Sequence, residues 1–275
     1  MGSLEWPLII FTVLGEAAVG MIFALWWISR KPLDSGKAKK ITLISGILIG
    51  VGLLASLFHL GHPEASYRAL THLSTSWLSR EILSFMLISL GICYLFWQTW
   101  FAKGKYHLAA GITSLLGIIG IFSSAMGYAL PRVPAWNSAS TFFFFLLTAV
   151  ILGCLIVLWI ARKHLSLPQN RQLLLAALGA LIAEIAVFIL YISMLNQMGD
   201  VGVSTATLLT SGGLFAFRII FWIVSFVLFF FLLYHKKSFG SSVLLLLLLS
   251  CTAVEFIGRI SFYLNAIGIH INALF

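Results

Sequence analysis

Charge is what this chain has least of. Only 9% of its 275 residues are Asp, Glu, Lys or Arg, against 61% hydrophobic. A soluble domain carries about 25% charged residues, so this composition cannot cover a water-facing surface and excludes a soluble globular enzyme. Acid is scarcer than base: eight Asp and Glu stand against 17 Lys and Arg, a net charge of +9. Such an excess attracts nucleic acid when it forms a patch. Here the basic residues sit in short loops between apolar runs, so no nucleic-acid partner is expected. The three cysteines, Cys93, Cys154 and Cys251, all lie within apolar runs, with no CxxC and no Cys-His ligand spacing. That pattern argues against a disulfide framework and against an iron–sulfur cluster held by this chain. It leaves small buried residues. Basic residues are also lacking before the first apolar run, Met1-Gly2-Ser3-Leu4-Glu5-Trp6-Pro7. This run is therefore read as a retained span and not a cleaved signal.

What is present is length without polarity. A helix needs about 20 apolar residues to cross a bilayer, and eight stretches qualify: 6–28, 41–60, 80–101, 108–128, 140–161, 173–195, 213–234 and 242–265. The reading is an all-α polytopic membrane protein, one integral domain over 1–275, with a division into two four-helix bundles as an open arrangement. Phe142 to Phe145 and Leu244 to Leu249 are read as lipid-facing filler. Twelve of the 17 basic residues fall in the first, third, fifth and seventh loops. Lys/Arg-rich loops stay in the cytoplasm, so both termini are expected outside.

Titratable groups at membrane depth are costly and need a reason. His59 closes the second span, followed by Gly61 and Pro63, which end helices. Ser79-Arg80-Glu81 opens the third. Two readings stand for this mouth. In one, Ser79 caps the helix, Glu81 offsets its dipole and His59 bonds a loop carbonyl. In the other, His59 and Glu81 are the proton acceptors that quinol oxidation requires. The ordinary pKa of histidine suits that task.

In the last span Glu255, Gly258, Arg259, Phe262 and Tyr263 recur at helical spacing and share a face. Glu255 and Arg259 are placed for an i, i+4 ion pair, which either fixes helix packing or serves a quinol ring. Gly258 would let a helix or ring come close. Glu16 and Glu184 fall near the middle of spans one and six, and Arg218 lies in the outer part of span seven. They read as a proton path or as ion pairs within the bundle. Two axial histidines at matching depth would mark a haem. Only His59 lies in a span, so no haem is expected.

At these residues the chain resembles the membrane-anchor subunit of the dimethyl sulfoxide reductase family. The resemblance rests on Glu5-Trp6-Pro7-Leu8 with Phe11-Thr12-Val13, and on His59-Leu60-Gly61 with Pro63. It continues through Leu78-Ser79 with Glu81-Ile82, Val133-Pro134-Ala135-Trp136, and Glu255 to Arg259 with Phe262-Tyr263. It covers nearly the whole chain. It implies eight helices in a bacterial inner membrane. They would hold a molybdopterin catalytic subunit and a ferredoxin-like subunit with four [4Fe-4S] clusters on the periplasmic side. It also implies menaquinol oxidation without any further redox group in this chain, and by motif it makes His59 and Glu81 the site pair. Arg259, Tyr263 and Gly258 are expected to line that site. Relatives usually have glutamine where this chain has Glu16. Two rivals remain at this point. One is an anchor of a polysulfide-, thiosulfate- or tetrathionate-type reductase. The other is a proton-coupled transporter using Glu16, Glu184 and Glu255.

Overall fold

The computed structural model describes residues 5–30, 35–58, 71–102, 106–234 and 240–268. Among them, eight helices are long and apolar enough to span a membrane. They are α1 (Trp6–Ile28), α2 (Ser35–Leu57), α3 (Trp77–Trp97), α4 (His107–Gly127), α5 (Ala139–Ala161), α6 (Leu167–Leu195), α8 (Gly212–Tyr234) and α9 (Ser241–Leu264). A ninth, α7 (Gly199–Thr210), lies between α6 and α8. At 12 residues it is too short to span. Its glycines explain it: Gly199 and Gly212 adopt positive φ at 71° and 81°, so the chain turns sharply at each end.

Helix starts follow local chemistry that hydropathy alone misses. Ser166 and Gln169 form a reciprocal capping box on α6, so that helix begins six residues before the apolar stretch at 173. The polar turn Ser35 to Lys40 likewise belongs to α2. Ser76, not Ser79, caps α3, its Oγ accepting from the Ser79 N–H.

Without a hydrophobic force between helices in lipid, close packing and small residues decide association. The centre is α1, whose apolar stretch is 78% buried, against 28% for α2 and α8. It crosses α5 at backbone contact, where a Cβ on Gly20 would stand 1.7 Å from the Ala149 carbonyl oxygen. Two apolar clusters flank this crossing. One joins α1 and α5 to α2, α6, α8 and α9, and the other joins them to α2, α3 and α4. Helices α1, α2 and α5 thus belong to both clusters, and the core does not divide into two sets of four. The supposed filler is partly core: Phe145, Leu244 and Leu247 are buried. Phe145 touches the polar interior described next.

Candidate functional site

The alternation of the helices brings the start of α3, the ends of α4 and α9 and the α4–α5 loop to one mouth. Its carboxylate is Glu81. Because α3 begins at Trp77, Glu81 lies beyond the first turn, where the helix dipole no longer acts strongly. The cap is made by Ser76, so capping does not account for Glu81. Its Oε1 instead accepts a hydrogen bond from the Ser124 hydroxyl of α4. Oε2 faces the backbone of Gly127, where a Cβ would still have 3.8 Å. Ser124 is a buried hydroxyl in an apolar helix end. Arg80 points elsewhere, stacked over Trp77 at 4.2 Å and donating to the Leu73 and Ser74 carbonyls.

Within electrostatic reach of Glu81 are the hydroxyls of Tyr128 and Tyr263, which meet at 2.5 Å. Aromatic rings fix this pair. Tyr128 is edge-on to Trp136, Phe145, Phe262 and Tyr263. Trp136 stacks on Phe262 with centroids 5.6 Å apart and donates its indole N–H to the Phe262 carbonyl. The loop motif Val133 to Trp136 is thereby tied to the end of α9.

His59 falls outside the described residues. In sequence it follows Phe58, directly after α2.

Arg259 is arranged differently from the expectation. It does not pair with Glu255 along its own helix. Its Nη2 reaches Glu16 on α1 at 2.6 Å, both groups being buried, and its guanidinium lies 3.7 Å over the Phe145 ring. The reason is the position of α1, the central helix, which offers a carboxylate across the α1–α9 contact. Glu255 meets the Thr148 hydroxyl of α5 at 2.6 Å. Glu184 takes Arg218 of α8 at 2.6 Å. The two carboxylates expected on a proton path, Glu16 and Glu184, are therefore each held by an arginine.

Gly258 makes the close approach predicted for it, with an unexpected partner. A Cβ there would stand 2.8 Å from Arg218 Nη2. The shared face of α9 divides: Glu255, Gly258 and Arg259 line a cavity, Tyr263 turns to the mouth, and Phe262 borders both. Sequence reading passed over Ser124, Tyr128 and Thr148. Hydroxyls inside strongly apolar helices were the available signal, blurred because most of them, such as Ser123 and Ser114, simply bond the carbonyl four residues back.

The sequence matches the model of the DMSO reductase anchor subunit family (DmsC) over residues 1–264. It is 29% identical over 194 residues to the anaerobic dimethyl sulfoxide reductase protein YnfH of Escherichia coli, with 68% of each sequence covered. It is 29% identical over 198 residues to a component of the anaerobic dimethyl sulfoxide reductase of Haemophilus influenzae, with 68% of this sequence and 70% of that one covered. Over a shorter region, 36% of its length, it is 36% identical to a component of the sulfite dehydrogenase of Allochromatium vinosum. With eight spans, a polar mouth and a family match along almost its whole length, the chain belongs to the membrane anchor subunits of the DMSO reductase family.

Proposed function

We propose that this anchor binds menaquinol at the α3–α4–α9 mouth and passes its electrons to an iron–sulfur subunit docked outside the membrane. The observation that carries the reading is the Glu81 carboxylate. It is held by Ser124 from a second helix, is not used as a helix cap, and lies within electrostatic reach of the half-buried Tyr128 and buried Tyr263 phenols. A quinol losing two electrons must also lose two protons. Glu81 takes one, and His59, adjacent in sequence to the end of α2, takes the other. The ring oxygens need donors on the way, and the Tyr128–Tyr263 pair supplies hydroxyls at the right end of the bundle. The surrounding wall of Phe145, Phe262 and Trp136 suits a lipid-soluble ring, since such sites are mostly apolar with few polar groups.

In this reading Arg259 acts indirectly, held by Glu16. Gly258 shapes the neighbouring cavity and not the quinol pocket. The partners are a four-cluster ferredoxin-like subunit and a molybdopterin catalytic subunit. They sit on the periplasmic side of a bacterial inner membrane, with both termini of the anchor facing them. Loops rich in Lys and Arg would face the cytoplasm. The terminal acceptor is set by the catalytic subunit. The likeness to a sulfite dehydrogenase component supports a second reading, an anchor for a different sulfur-oxyanion enzyme. A transporter is less favoured, because arginines occupy Glu16 and Glu184.

The test is mild-detergent purification from anaerobically grown membranes, with iron and molybdenum quantified and a menaquinol analogue titrated into the product. Co-purified metal subunits and saturable analogue binding are expected. A chain emerging metal-free and indifferent to quinol would overturn the reading.

A further inference from the structure

Next to the mouth, with Phe145 and Phe262 common to both, lies a cavity of about 40 Å³ between α5, α6, α7, α8 and α9. One water needs roughly 10–15 Å³ on this measure, so there is room for about three. Its polar lining is Thr148, Glu184, Arg218, Glu255 and Arg259, each at least nine-tenths buried. Four of their atoms are buried without a hydrogen-bond partner: Glu184 Oε2, Glu255 Oε1, Arg218 Nε and Arg259 Nη1. Polar atoms so placed are satisfied by ordered water.

The charges do not balance. Around the cavity stand three carboxylates, Glu16, Glu184 and Glu255, and two guanidiniums, Arg218 and Arg259. Each arginine has its own carboxylate, Glu184 and Glu16 respectively. Glu255 is left over. An uncompensated charge at this depth is prohibitively costly. Hydrogen-bond geometry leads to the same residue independently. Thr148 Oγ1 lies 2.9 Å from the Phe144 carbonyl oxygen and 2.6 Å from Glu255 Oε2. A hydroxyl has one proton to give, and a carbonyl can only accept. Both contacts are satisfied when Glu255 donates to Thr148 and Thr148 donates to Phe144.

We propose that this hydrated cavity is a binding site for a single exchangeable proton, carried by Glu255 as the neutral acid and reached through internal water. The step is Glu255 carboxylate plus one proton from that water, with no redox change. Neighbouring groups fit this assignment. Tyr191 spends its hydroxyl on the Ala135 carbonyl. Cys251, one turn away on α9, donates to Ser225. Glu16 faces Arg259. The charges that reach Glu255 are Glu184 from α6, Arg218 from α8 and Arg259 on its own helix, and the first two are already paired with each other. The inference is independent of the quinol reading and stands if that site lies elsewhere.

Infrared spectroscopy of the purified complex tests it, with Glu255→Gln as the variant. Gln mimics the protonated acid, one end donating to Thr148 and the other facing the water. The variant is expected to assemble at the wild-type level. The wild-type-minus-variant spectrum should show a protonated carboxylic acid carbonyl band at neutral pH that shifts in D2O, unchanged when sodium is replaced by choline. No such band in the difference, or failure of the Gln variant to assemble, would overturn the proposal. A band that appears only after sodium is removed would also overturn it and assign the site to a metal cation.

Discussion

Arg259 on α9 donates to Glu16 on α1 at 2.6 Å, joining residues 243 positions apart inside the bundle. Removing one member of a buried pair strands the other charge, at a cost of about 3–5 kcal/mol. Glu16→Ala is therefore expected to reduce the membrane-assembled chain to a small fraction of wild type. Replacing both partners with apolar residues, Glu16→Leu with Arg259→Met, should recover much of the loss. Quantitative blotting of membranes checks this, and a single variant as abundant as wild type would contradict it.

The crossing of α1 and α5 makes a second demand. A methyl group on Gly20 or Gly153 would overlap the opposite backbone, at 1.7 Å and 2.1 Å. Gly20→Ala and Gly153→Ala should each lower the melting temperature of the detergent-purified chain sharply. Gly50→Ala and Gly179→Ala, where nothing lies within 4 Å, should leave it unchanged. Equal behaviour of the two sets would mean that the helices do not cross at backbone contact.

These residues show what the sequence makes legible. Spans follow from apolar length, so all eight were readable and α1 matches its expected bounds. Boundaries set by polar caps, as at Ser166 and Ser76, fall outside a hydropathy window. Helix α7 was hidden because a 12-residue amphipathic segment resembles a loop when only spans are counted. Partner choice was the least legible feature. The i, i+4 rule made Glu255 the natural partner of Arg259 because local spacing is all that a sequence displays. The actual partner is set by which helix occupies the centre. Glu81 could be singled out, but its Ser124 partner depends on the α3–α4 packing.

That Ser124 contact makes a third prediction. A hydrogen bond to a charged group contributes about 1.5–3 kcal/mol, or roughly 10- to 150-fold in a rate that depends on it. Ser124→Ala should lower kcat/KM for a menaquinol analogue within that range while the complex assembles normally. Ser123→Ala, whose hydroxyl bonds only the Ile119 carbonyl, should behave as wild type. Equal effects at the two positions would remove Ser124 from the site.

Topology supplies a fourth. Asp200 lies on α7, between α6 and α8, on the side expected outside. Lys163 lies in the α5–α6 connection, on the side expected inside. In intact cells stripped of their outer membrane, an impermeant thiol reagent should label Asp200→Cys at once and Lys163→Cys only after lysis. The reverse pattern would invert the orientation and move the proposed quinol site to the cytoplasmic face.

The most direct test is menaquinol-analogue oxidation by membranes carrying His59→Ala, Glu81→Gln or both, normalised to assembled complex. Turnover should collapse in each variant with partner subunits still bound, and the double variant should be no worse than the more severe single one. Wild-type turnover in the double variant would contradict quinol chemistry at this mouth and leave the chain a passive tether.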